Sequence, residues 1–139
     1  MDNQFKKSFL LLMEKKQRDI EKNKLKIIRD IASEKINGEE TCSHTFKCES
    51  FSFLQQSNSP EKYFVIERWR RIKIIGEPAS KDLKEGDIEY RISYYIISRK
   101  PSSLKKGQWV FGQYSPMIGH QDLFALLDLA KSEKTILFS

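Results

Sequence analysis

Two cysteines and a histidine lie close together and are the residues most suited to bind a metal. Cys42, His44 and Cys48 place three potential zinc ligands within seven residues. A structural zinc site needs four ligands, usually in paired short spacings, and the only other histidine is His120, far along the chain. We therefore predict that the cysteines pack as small apolar groups, with no metal and no other cofactor.

Acidic residues in the middle of the chain are the candidates for catalysis. Glu67 lies in the second predicted strand, and Asp87 and Glu89 lie at the start of the third. Nucleases with the restriction-endonuclease-like core hold a divalent metal with an Asp and then a Glu-x-Lys on consecutive strands. Here the residue two positions after Glu89 is Arg91, which keeps its proton and cannot replace the lysine. No glycine-rich phosphate loop or other catalytic motif is present. We predict a protein without catalysis, and a nuclease-like enzyme is the third hypothesis.

Basic residues are dense in the second predicted strand, where they interrupt an apolar run. The apolar residues before the charged run stand at odd positions and those after it at even positions, so an uninterrupted strand would place apolar side chains on both faces of the sheet. One extra residue at Arg70 or Arg71, a β-bulge, would place Tyr63, Val65, Trp69, Ile72 and Ile74 in the core and turn Arg68, Arg71 and Lys73 outward. Arginine forks suit phosphates and an exposed ring suits a base, so this surface favours non-specific contact with a nucleic-acid backbone. The predicted contact residues are Arg68, Arg70, Arg71, Lys73, Arg91, Tyr95 and Arg99.

The first quarter of the chain has the pattern of a basic amphipathic helix. Residues 3–34 contain no Pro or Gly, and Met13, Ile20 and Ile27 are one heptad apart. Residues 1–35 carry 10 basic and six acidic side chains, which supports a phosphate-binding role for this helix as well. The alternative function is a protein-interaction or homodimeric adaptor that uses this stripe together with Trp109 and Met117.

Strand patterns follow from residue 44 onwards. We predict strands at 44–54, 63–75, 88–98 and 108–114, the third with the clearest alternation. Gly112 in the fourth indicates a bulge or a close approach of the backbone. Asn37-Gly38 has the composition of a helix stop after the N-terminal helix.

A second amphipathic helix follows, and it begins either at Ser115-Pro116 or after Gly119. Its apolar face is formed by Leu123, Leu126, Leu127 and Ala130, and the tail 135–138 fits a final edge strand. The predicted fold is therefore α+β: an N-terminal helix, a four-stranded antiparallel meander and a C-terminal helix, with the helices covering one face of the sheet.

Length and composition exclude several classes of protein. The chain has 139 residues and a formal charge of +6, and 39% hydrophobic residues with only six Gly and four Pro argue against disordered and collagen-like chains. This length predicts one globular domain spanning 1–139, with a helical segment at 1–35 and the sheet and second helix at 44–139. No apolar run has the roughly 20 residues of a transmembrane helix, and residues 8–13 are too short for a signal peptide. Two cysteines fit a reduced cytoplasmic protein.

Overall fold

A computed structural model describes residues 2–23, 25–29, 35–36, 39–40 and 42–137. The predicted α+β class is confirmed, with one helix at each end of the described chain and strands between them. The elements are α1 (Asp2–Glu21), β1 (Leu25–Arg29), β2 (Lys35–Ile36), β3 (Glu39–Glu40), β4 (Cys42–Gln55), β5 (Lys62–Gly76), β6 (Ile88–Ile97), β7 (Trp109–Phe111) and α2 (His120–Ser132).

The main sheet is antiparallel and has the strand order β1-β4-β5-β6-β7. The meander predicted from the sequence forms its last four strands, although β7 covers only 109–111 of the predicted 108–114. β1 adds a fifth strand at the edge beside β4. The short strands β2 and β3 pair with each other as a separate two-stranded sheet. Within the described ranges, no helix is both long enough and apolar enough to cross a membrane.

The N-terminal helix ends earlier than the sequence predicts. Asn23 adopts a left-handed backbone conformation (φ 57°), which asparagine tolerates better than most residues, and its N–H donates to the Ile20 carbonyl at 2.9 Å. Leu25–Arg29 then pairs with β4, so the prediction of a helix was wrong at these residues, and its last part, 30–34, lies outside the described residues. Hydrogen bonding to an open sheet edge outweighs the weak helix propensity of this segment. The predicted stop at 37–38 lies outside the described residues.

The two helices cover opposite faces of the sheet, which corrects the expectation that both lie on one face. The ring of Phe9, in α1, stacks on Tyr63 with centroids 3.8 Å apart, and Met13 and Val65 complete that buried cluster. On the other face, Phe64 and its neighbours in β5 pack against α2. Residues 63–67 are all buried, because successive side chains of β5 meet different helices.

The core beneath α2 is built from apolar side chains and one buried hydroxyl. Leu126 and Ala130 pack against Phe64 and Ile66. Thr135 is fully buried after the helix, and its hydroxyl shares hydrogen bonds of 2.9 and 2.8 Å with two serine hydroxyls of β4.

Residues 135–137 form no strand, so the final edge strand expected from composition is absent from the described tail. The helix itself begins after Gly119, the later of the two predicted starts.

β5 carries a bulge one residue beyond the position that the sequence suggested. Thr45 pairs with Lys73 and Phe46 with Arg71, which leaves Ile72 unpaired and exposed. A second register shift leaves Glu49 of β4 unpaired. The bulge changes which side chains are buried: Ile72 leaves the core and Arg71 enters it, the reverse of the prediction. Trp69 and Ile74 are half-buried rather than central to the core.

Candidate functional site

The first two predicted nucleic-acid contacts, Arg68 and Arg70, are both bound to the same carboxylate. Their Nε atoms donate to the two oxygens of Glu49 at 3.1 and 2.8 Å. The hydrogen bond from Arg70, with a smaller contribution from Arg68, holds the pKa of Glu49 below its usual value. The bulge at Glu49 thus supplies the negative charge that these two arginines require.

Arg71 is buried, contrary to its predicted outward orientation. Its guanidinium is 4% exposed and donates to Asp87 Oδ2 at 3.0 Å and to Glu89 Oε2 at 2.7 Å. It also lies over the ring of Phe46, 5.0 Å from the centroid. These contacts neutralise the arginine within the fold and leave it unable to reach a phosphate.

Arg91 belongs to an ion cluster around the buried Glu67 that joins α1 to the sheet. It donates to Glu67 Oε1 at 2.7 Å, while Lys16 of α1 binds the other oxygen of the same carboxylate. Burial of Glu67, which is 1% exposed, opposes ionisation, but Lys16 and Arg91 outweigh that effect and keep its pKa below the usual range. The guanidinium also lies over the rings of Trp69 and Phe111, at 5.3 and 5.5 Å.

The remaining predicted contact residues differ in exposure. Tyr95 packs in the α1 cluster with its ring 5.7 Å from that of Phe9, and burial raises the pKa of its phenol. Arg99 is 72% exposed and forms an ion pair with Glu61. Lys73 is exposed on the distal half of β5. All five predicted arginines therefore have a carboxylate partner within the fold, and the seven residues do not form one open basic surface.

The residues predicted for a protein interface are also dispersed. Met13 is buried in the α1 cluster, and Trp109 packs beside it and donates its indole N–H to a serine hydroxyl of α1 at 2.8 Å. Ile20 is half-buried, Ile27 is 68% exposed on β1, and Met117 is exposed before α2. The heptad of Met13, Ile20 and Ile27 is therefore split between a helix and a strand and forms no continuous stripe.

The cysteine and histidine residues lie in the interior of β4. Cys42 Sγ lies 3.6 Å from His44 Nε2, and all three side chains of the predicted group are buried. Burial, together with the negative charge of Glu67, raises the pKa of the Cys48 thiol to about 11. In the parts of the chain that the structure describes, no three His, Cys, Asp or Glu side chains are grouped as metal ligands.

The acidic residues considered for catalysis have structural partners. Glu67 is held by Lys16 and Arg91, whereas Asp87 and Glu89, at the start of β6, bind Arg71. An arginine or lysine in contact with each carboxylate occupies the position that a divalent cation would need. The geometry thus gives these three carboxylates a structural role, as the ion-pair partners of Lys16, Arg91 and the buried Arg71.

A groove of about 580 Å³ at the β6–β7 edge has a different character, because its cations are not all paired. Lys100 and Lys105 line it, and neither forms an ion pair among the described residues. The loop 98–108 that carries them is held by backbone hydrogen bonds from Gly107 to Ser98 (2.8 Å) and from Gln108 to Lys105 (2.9 Å). Gly107 has φ 80°, a conformation that favours glycine.

Aromatic side chains form the other part of this groove. Tyr94, Phe111 and Tyr114 line it, and Tyr114 is 79% exposed. The Tyr94 ring packs directly against the backbone of Gly112, where a Cβ atom would lie 2.2 Å from the ring. The close approach that the sequence indicated at Gly112 is confirmed, and the Gly112 N–H donates to the Tyr94 carbonyl at 2.7 Å. This contact fixes the backbone two residues before Tyr114.

A smaller cleft of about 220 Å³ lies on the main sheet and is lined by residues of β1, β4, β5 and β6. Lys26, Trp69, Glu89 and Arg91 are among its lining residues. Arg91 is already paired with Glu67, and Glu89 adds negative charge, so this cleft offers a polyanion much less than the β6–β7 groove does.

Sequence reasoning missed Lys100 and Lys105 as candidate binding residues. A signal was present: residues 98–108 contain four basic side chains and no acidic one.

Comparison of the chain with family models, with curated proteins and with solved structures found no match.

Proposed function

We propose that the protein is a non-catalytic binding module that contacts the phosphate backbone of nucleic acid without sequence specificity. The observation that supports this is the concentration of unpaired lysines in the loop 98–108, beside the groove of about 580 Å³. The contact surface of this proposal consists of Lys100, Lys105 and Lys106, with Arg99 at its border.

The ion pairs of the sheet favour the loop 98–108, rather than the arginines of β5 and β6, as the phosphate-binding surface. Arg68, Arg70, Arg71 and Arg91 already donate to carboxylates, so a phosphate would have to displace an intramolecular partner. A lysine ammonium in water loses only its hydration and a counterion when it meets a phosphate, and release of the counterion drives binding. The loop lysines therefore bind phosphate at lower cost than the arginines of the sheet.

The salt dependence of binding tests the proposal. Three lysines on single-strand phosphates predict a slope of about −2 for log K against log salt, or about a 15-fold loss between roughly 50 and 200 mM. Fluorescence anisotropy with a labelled mixed-sequence oligonucleotide and nuclease-treated protein measures this slope. Absence of binding at the lowest salt would contradict the proposal.

A pair of matched double variants locates the contact. Lys100→Gln/Lys105→Gln removes two of the three charges and is expected to reduce the slope to about −0.7. Lys81→Gln/Lys84→Gln removes the same charge from exposed positions between β5 and β6 and is expected to leave the slope unchanged. An equal effect of both variants would show that only net charge matters and would refute a site at the loop.

A further inference from the structure

We propose that the β6–β7 groove selects single-stranded over double-stranded nucleic acid, because an unpaired base stacks on Tyr114 while Lys100 and Lys105 hold the adjacent phosphates. This inference rests on the proposed function and specifies its ligand. It goes beyond phosphate binding, since a charged loop alone does not distinguish a single strand from a duplex.

Tyr114 is suited to base stacking by its exposure and by the fixed position of Gly112, two residues before it. Its side chain is 79% exposed, although a tyrosine more commonly buries most of its ring. The backbone that leads to it is pinned at Gly112, which packs against Tyr94. Only two side-chain torsion angles orient a tyrosine, so it loses little conformational entropy when a base stacks on its ring.

The neighbouring side chains supply the other half of the recognition. Lys100 and Lys105 line the same groove, and Ser98 and Ser103 add polar groups beside them. The Ser103 hydroxyl accepts a hydrogen bond from the Lys105 N–H at 3.1 Å, which orders the turn that carries this lysine. Ammonium groups beside an exposed ring match the alternation of phosphate and base along a single strand.

The dimensions of the groove agree with this ligand. A volume of about 580 Å³ lies within the range of about 300–1,000 Å³ that is typical of small-molecule sites, and one or two nucleotides are ligands of that size. In a duplex the faces of the bases are stacked on one another, so only its phosphates could contact the groove. A duplex would therefore gain the electrostatic contribution and lose the stacking contribution.

The test compares a single strand, a duplex of the same sequence and inorganic polyphosphate at one salt concentration. Tyr114→Ala is expected to weaken binding of the single strand by about 5- to 100-fold, the effect of losing one stacked base. Binding of polyphosphate is expected to stay unchanged in this variant, and Tyr114→Phe is expected to retain single-strand affinity. Phe124→Ala, which removes an exposed ring from α2 outside the groove, is the matched control and should have no effect.

The outcomes separate this inference from the proposed function. If the single strand, duplex and polyphosphate all bind and Tyr114→Ala alters none of them, stacking is refuted and phosphate binding stands. If none of the three binds, both proposals fail. Because Tyr114 is exposed, its variants should unfold at the same temperature as the original protein, which circular dichroism checks.

Discussion

Glu67→Gln is expected to destabilise the protein substantially, because this carboxylate connects α1 to the sheet. Removing one member of a fully buried ion pair costs about 3–5 kcal/mol, since the other charge is left without a partner. Lys16 and Arg91 are 20% and 38% exposed, so water replaces part of what they lose. We therefore expect the free energy of unfolding to fall by about 2–4 kcal/mol at neutral pH.

The same substitution has a defined pH dependence. The pKa of Glu67 is lower in the folded protein than its usual 4.5, so the stabilisation it provides is complete above that value and is lost as the pH falls through the folded pKa. Glutamine carries no charge at any pH. The difference in stability between the two proteins should therefore shrink in acid, even though other ion pairs, such as that of Glu49, weaken in both.

Urea unfolding followed by circular dichroism at neutral and acidic pH measures this difference. Glu61→Gln is the matched control, because its partner Arg99 is 72% exposed and such surface pairs contribute at most about 1 kcal/mol. A loss below about 0.5 kcal/mol for Glu67→Gln at neutral pH, or a loss that persists undiminished in acid, would refute the role assigned to this carboxylate.

Three further predictions concern the interior. Gly112→Ala should cost about 1–3 kcal/mol in urea unfolding, since its Cβ would meet the Tyr94 ring at 2.2 Å, whereas Gly119→Ala, with no atom near the added methyl, should cost less than about 1 kcal/mol. Thr135→Val should cost about 1–3 kcal/mol because two serine hydroxyls lose their buried partner; an unchanged midpoint would contradict that assignment. Cys48, with a pKa of about 11 against 9.0, should be alkylated by iodoacetamide at least about 100-fold more slowly at pH 8 than after unfolding, as mass spectrometry would report.

Local sequence patterns were sufficient to predict the central strands. The predicted strands at 44–54, 63–75 and 88–98 agree with β4, β5 and β6 to within two residues, because alternation and turn residues are local signals. The close approach at Gly112 was predictable for the same reason. The second helix also followed from the spacing of its apolar residues, although its start depended on which cap was used.

The end of α1 and the arrangement of the two helices depend on contacts distant in the chain. Leu25–Arg29 has a composition compatible with a helix, and it forms a strand only because β4 presents a free edge to it. The burial of every residue from 63 to 67 requires a helix on each face, which alternation along one strand cannot reveal. Tertiary contacts decided both features.

The basic strand shows why charge alone was a poor guide to the site. Arg71 lies 16 and 18 residues before Asp87 and Glu89, and only the pairing of β5 with the following chain brings them together. Glu67 and Arg91 are 24 residues apart and become direct neighbours across β5 and β6. The loop 98–108 contains no acidic residue, and although Arg99 pairs with Glu61, its three lysines form no ion pair among the described residues.

Lysine reactivity in the presence of a single-stranded oligonucleotide tests the central claim most directly. Acetylation of exposed lysines, quantified by mass spectrometry with and without the oligonucleotide, reports which ammonium groups the ligand covers. We predict protection of Lys100, Lys105 and Lys106, with Lys73 and Lys81 equally reactive in both samples. Protection of Lys73 with continued reactivity of Lys100 and Lys105 would contradict the account and would indicate that the ligand binds to β5 instead.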